Sequence, residues 1–152
     1  MNHSASLHHS QPFVLQSRGR VLDITNGVVM GILNLTPDSF YDGGKFTEES
    51  IIIERVAQLI AEGAAIIDIG GVSSRPGATE ISVEEERHRV IPAIKAIRKN
   101  FPAAFLSIDT WRGRIAKESL DEGIDIINDI SAGNIDSEII KVAGEAKVPY
   151  IL

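Results

Sequence analysis

Amide and carboxylate side chains recur in this sequence directly at or after short apolar runs. Asn34 follows Val28–Leu33; Asp68 lies near the end of Ala65–Ile69; Asp109 closes Phe105–Asp109; Asn128 and Asp129 close the run that begins at Asp125. A carboxylate at the end of a buried run is unfavourable unless it is hydrogen-bonded or paired, so each of these groups needs a use. Asp109 can accept two N–H donors from a guanidine-like ligand edge, or it can cap the helix expected to begin just after Thr110. Asn128 both donates and accepts, which suits a heterocycle; its other use is to order the loop that follows.

The loops between these positions carry further chemistry. Asn34, with Asp38 and Asp42, could offer oxygens to magnesium, water and phosphate completing the shell. Asn-Leu-Thr-Pro-Asp is also a good turn sequence. Ser73-Ser74-Arg75-Pro76-Gly77 joins hydroxyls, a guanidinium and a turn, a combination that can bind an anion; an arginine in a loop is also commonly just solvated. Gly43-Gly44 lets the first loop fold back. The run Glu84-Glu85-Glu86-Arg87 reads as a solvated helix face. His3, His8, His9 and His88 lack metal-ligand spacing and read as surface residues.

These groups need elements to position them, and the pattern supplies an alternation of strands and helices. Strands are expected at 28–33, 65–69, 105–109 and 125–128, with a fifth beginning at Pro149. The first helix, about 47–62, has Ile52, Ile53, Val56, Leu59 and Ile60 on one face, Thr47 as its cap and Gly63 after it. Ser82-Val83-Glu84-Glu85 is a capping box opening the second helix, whose stripe continues through Val90, Ile94, Ile97 and Phe101. Pro92 interrupts that stripe and is expected to kink or split the helix. Two more helices follow at about 112–122, ended by Gly123, and at about 136–146. Ahead of all this, residues 13–24 read as a small hairpin turning at Ser17–Arg20, preceded by a disordered tail at 1–12 that is not a signal peptide.

Apolar strands each followed by a helix mean a parallel sheet covered by helices. Both a (β/α)8 barrel and a doubly wound open sheet fit. Polar carboxyl ends on all four strands favour the barrel, where such ends converge on one mouth. The 152 residues and 43% apolar content suit one globular domain, and without cysteine there is no disulfide frame, Cys-ligated zinc or thiol catalysis. A net charge of −6 argues against a nucleic-acid partner, and no apolar run is long enough for a membrane span. We therefore expect a soluble cytoplasmic protein.

Four stretches, MGILNLTPDSFYDGG (30–44), DIGGVSSRPGA (68–78), SIDT (107–110) and IINDISAG (126–133), together resemble the successive motifs of the dihydropteroate synthases, in the same order and spacing. The resemblance covers about residues 13–152. It implies a TIM (β/α)8 barrel, of which this chain would be about the first four βα units plus the hairpin. It also implies a transferase that condenses 6-hydroxymethyl-7,8-dihydropterin pyrophosphate with p-aminobenzoate, releasing pyrophosphate. Carried over by position, Asp109 and Asn128 bind the pterin, with Asp68 beside them. Asn34 sits at magnesium and pyrophosphate. Asp42 and Arg75 take catalytic roles, and Ser74, Phe40 and Pro76 contact the leaving anion or the aminobenzoate. The full-length enzyme is expected to be a homodimer. Val72 stands where that family usually has glutamate, which puts that residue's role in doubt. The runner-up readings are a pterin-dependent methyltransferase, which shares the barrel and the pterin Asp and Asn, and a non-catalytic half-barrel module. Family members run on for three more strands, so we expect this chain alone to be inactive, with open sheet edges prone to self-association.

Overall fold

The computed structural model describes residues 12–36, 48–72 and 81–152. Two short strands open it, β1 (Val14–Ser17) and β2 (Arg20–Asp23), paired antiparallel through the expected turn. The alternation follows: β3 (Val29–Asn34), α1 (Glu48–Ala61), β4 (Ala64–Gly70), α2 (Val83–Asn100), β5 (Phe105–Asp109), α3 (Gly113–Asp121), β6 (Ile126–Asn128), α4 (Glu138–Ala146) and β7 (Tyr150–Ile151). β3 to β7 form one sheet, every pair parallel and every strand beside its neighbour in sequence. A doubly wound sheet would reverse its order at a switch point. No reversal occurs among the described strands, so the order is that of a (β/α)8 barrel.

Side chains alternate across a strand, so each one presents residues to two faces. Toward the helices go Leu33, Ile67, Ile69, Leu106, Ile108 and Ile127, which merge with Ile52, Val56, Val90, Ile94, Ile97, Ile115 and Ile139 into the main core. Burying each such side chain stabilises the fold by about 1.5–3 kcal/mol. The opposite, inner face begins with Ile66, Phe105 and Ile126, against which Leu15 and Leu22 of the hairpin pack, along with Met30 and Ile151. The hairpin thus closes the amino-terminal end of the sheet's inner face. An ion-pair cluster fastens it there. Asp125 is fully buried and accepts from Arg20, from Arg98 at 2.8 Å and from the Leu106 amide at 3.0 Å. Arg20 also lies 5.1 Å from the centre of the Phe105 ring.

Helix boundaries follow local chemistry. Ser82 caps α2, its hydroxyl accepting from the Glu85 amide at 3.1 Å. Gly63 and Gly123, after α1 and α3, take φ of +101° and +104°, a region glycine enters without steric cost. Three expectations need correction. Pro92 does not split α2, which runs unbroken from Val83 to Asn100. Pro92 and His88, whose carbonyl loses its helical donor, are both exposed, so water can serve that carbonyl while Val90, Ile91, Ala93 and Ile94 stay buried. Ile60 is exposed rather than part of the α1 core face. Glu86 is fully buried, not solvated. It falls on the same stripe as Val83 and Val90, one helical turn from each. The expected tail at 1–12 and the Thr47 cap lie outside the described residues, except that Pro12 is described and exposed.

Candidate functional site

The strand register sets a row of residues across the carboxyl ends of the sheet. Asn34 pairs with Gly70, Gly70 with Asp109, Asp109 with Asn128, and Asn128 with Ile151. By strand alternation all five share the inner face with Ile66, Phe105 and Ile126. One layer below, Asp68 pairs with Ile32 and with Ser107. The inner face therefore changes from apolar beside the hairpin to polar at the opposite end.

Asn128 donates through Nδ2 to Asp68 Oδ2 at 3.0 Å. A carboxylate only accepts, so this contact fixes the amide and turns Asn128 Oδ1 away from Asp68. Burial pushes the Asp68 carboxyl above the usual range. Ser107 and Asn128 offset part of that, Ser107 by proximity rather than a formed bond, since Asp68 Oδ1 and Ser107 Oγ are both buried and without a hydrogen-bond partner. Asp109 is half-buried, and its carboxyl is pushed up to about 6, by burial first and then by the negative charges of Asp68, Glu86 and Asp129. What faces a ligand here is thus a set of acceptors: the Asp109 carboxylate and the Asn128 carbonyl oxygen. Such a wall selects an edge rich in N–H donors.

The alternative use of Asp109, as the cap of α3, is not what the structure shows. The Gly113 amide at the start of α3 donates to Asp136 Oδ2 at 2.7 Å, and Thr110 Oγ1 accepts from the Arg112 amide at 3.2 Å. Asp109 is left to the inner face. Asn128 likewise does not order the next loop; Asp129 does. Its side chain accepts from the amides of Ser131 and Gly133, both at 2.8 Å, and from the Tyr150 hydroxyl at 2.7 Å. Burial pushes Asp129 up, but these bonds outweigh it and hold its carboxyl below the usual range.

Sequence reasoning missed the support beneath Asp109. Glu86 accepts from Thr110 Oγ1 at 2.7 Å and from Arg112 at 2.6 Å, while Arg89 donates to the Gly71 carbonyl at 2.9 Å. α2 thereby ties the end of β4 to the loop after β5. The available signal was the helical spacing that places Glu86 among apolar positions. Val72 is also buried, so the departure from the glutamate of the resembling family lies in the interior. Of the candidates, the structure brings together Asn34, Asp68, Asp109 and Asn128. Phe40, Asp42, Ser74, Arg75 and Pro76, with Asp38, Gly43, Gly44, Ser73 and Gly77, lie outside the described residues.

The model of the pterin-binding enzyme family matches residues 30–152, which takes in every residue of the row. This chain belongs to the pterin-binding enzyme family. Within it, a dihydropteroate synthase of Streptococcus pyogenes is 48% identical over 127 residues, 84% of this chain and 47% of that protein. Dihydropteroate synthase from Xanthomonas albilineans, solved with 4-aminobenzoic acid, superposes with a TM-score of 0.86 at 38% identity, covering 93% of this chain and 51% of that one. The same enzyme in complex with 7,8-dihydropteroate gives 0.79 at 34% identity, over 90% and 49% of the two chains. The chain spans about half the length of these relatives. Asp109 and Asn128 thus stand at strand ends of a pterin-binding fold.

Proposed function

We propose that the protein carrying this chain is a dihydropteroate synthase, joining 6-hydroxymethyl-7,8-dihydropterin pyrophosphate to p-aminobenzoate with loss of pyrophosphate. The observation that carries this reading is the acceptor wall: the Asp109 carboxylate beside an Asn128 amide locked by Asp68. A pterin presents a ring N–H and an exocyclic amine along one edge, and these match two acceptors on adjacent strands. The ligands named for the Xanthomonas enzyme, 4-aminobenzoic acid and 7,8-dihydropteroate, are the second substrate and the product of this reaction.

In this reading Asp109 holds the pterin edge and, being ionised at neutral pH, steadies the electron-poor ring that develops as the bond to pyrophosphate breaks. Asn34 is the candidate magnesium residue. Its side chain stands at the exposed rim and offers one amide oxygen. That donor set fits an ion that takes its other ligands from water and phosphate. When bound, the ion supplies neutralising charge for the departing pyrophosphate. By the same resemblance, Asp42 and Arg75 act on the reacting groups, and Ser74, Phe40 and Pro76 line the anion and aminobenzoate side. By the same resemblance the full-length protein is a cytoplasmic homodimer. Among the described residues, no helix is long and apolar enough to cross a membrane.

The test is direct. The full-length gene product, given the pterin pyrophosphate, labelled p-aminobenzoate and magnesium, should form labelled dihydropteroate. Absence of that product, with methyl transfer from a methylated pterin instead, would assign the protein to the methyltransferase branch.

A further inference from the structure

Gly70 interrupts the polar row. Its neighbours are Asn34 on one side and Asp109 on the other. Among the described residues, nothing requires a glycine here. Its φ lies outside the left-handed region, and a methyl group added to it would meet Asp109 Oδ2 at 3.5 Å and Asn34 Oδ1 at 3.6 Å, both ordinary contacts. Gly31 in β3 and Gly71 just after β4 differ. A methyl on Gly31 would come within 3.0 Å of Ala64 Cβ, and one on Gly71 within 2.7 Å of Val90 Cγ1. Those two are glycines because the core is packed against them. Gly70 ends β4 on the inner side, buried beneath the Asn34 and Asp109 side chains, and a glycine paired on both sides of a sheet can mark a place where a ligand approaches the backbone closely.

The flanking groups indicate what approaches. Asp109 Oδ2 and Asn34 Oδ1 both lie against the same missing methyl, so they are at most about 7 Å apart. One belongs to the acceptor wall and the other to the phosphate end proposed above. The backbone of Gly70 is the ground between them. A flat ring in contact with that backbone lies about 3.5–4 Å from it, in the space a side chain would fill.

We propose that Gly70 is the floor of the pterin slot and sets the clearance for a ring that lies over its backbone with its N–H edge at Asp109. The inference rests on the pterin reading and adds a specificity-determining position to it. Gly70→Ala and Gly70→Val, made in the full-length gene product, test it by calorimetric titration with 6-hydroxymethyl-7,8-dihydropterin pyrophosphate and by thermal unfolding. Gly70→Ala should unfold at the wild-type midpoint or slightly above, yet bind the pterin about tenfold or more weakly, with valine weaker still. Gly71→Ala should show the opposite order of effects, losing stability first. Wild-type affinity in Gly70→Ala would overturn the inference and leave the pterin reading standing. Loss of cooperative unfolding in Gly70→Ala would overturn it too, because the fold would then need the glycine. A wild-type protein that binds no pterin would overturn both.

Discussion

Replacing Asp109 with asparagine should make the protein more stable and a poorer binder at once. The Asp109 carboxyl titrates at about 6 in the fold against 3.8 for an ordinary aspartate, because it is buried beside Asp68, Glu86 and Asp129. Below about pH 4 the group is largely protonated in both the folded and unfolded chain, and ionisation costs the fold little. As pH rises from about 4 to about 6 the unfolded chain gives up its proton while the folded one keeps it, so stability falls across that window and is level above it. Two pK units correspond to about 3 kcal/mol, which screening at a half-buried position reduces to on the order of 2 kcal/mol. Asp109→Asn removes the charge and should recover that amount at pH 8 and little of it near pH 4. Urea unfolding of the full-length gene product across this range measures it. In the same variant, pterin affinity should fall by on the order of 2–4 kcal/mol, because an amide would point donors at donors. Equal destabilisation at every pH would refute the linkage and make Asp109 a structural tie.

Three further outcomes follow from the geometry. Pterin affinity should drop about tenfold for each pH unit below about 6, as the Asp109 carboxyl is protonated before binding; a flat profile between pH 5 and 8 would contradict that. Asp125→Ala leaves the partly buried Arg20 and Arg98 without their shared carboxylate and should cost about 2–3 kcal/mol in unfolding free energy, detectable as a lowered denaturation midpoint. Ser82→Ala removes the cap on α2 and should cost about 1 kcal/mol with pterin affinity retained.

The elements were legible because their signals are local. Apolar runs marked β3, β4 and β5, Ser82 and Gly123 marked helix ends, and polar residues at successive strand ends pointed to one shared rim. What the sequence left open depended on partners far along the chain. Whether Asp109 caps α3 was undecidable until Asp136, 27 positions later, proved to hold the Gly113 amide. The lock on the Asn128 amide joins residues 60 apart, and Arg20 meets Asp125 across 105. A run of acidic residues is usually solvated, but the helical phase of Glu86, in step with Val83 and Val90, turns it inward. Pro92 leaves α2 unbroken because it and His88 lie on the exposed side while the apolar residues on either side are buried.

The hairpin also governs traffic. With Leu15 and Leu22 seated on Ile66, Phe105 and Ile126, and Arg20 bound to Asp125, the amino-terminal end of the inner face is stoppered. Among the described residues, a molecule resting on the Asp109–Asn128 row is closed off on the hairpin side and faces the rim at the carboxyl ends of the strands. Whatever docks above it blocks its departure. In the proposed reaction this makes order matter: the occupant of the row enters ahead of whatever docks over it, and the joined product leaves by the same rim.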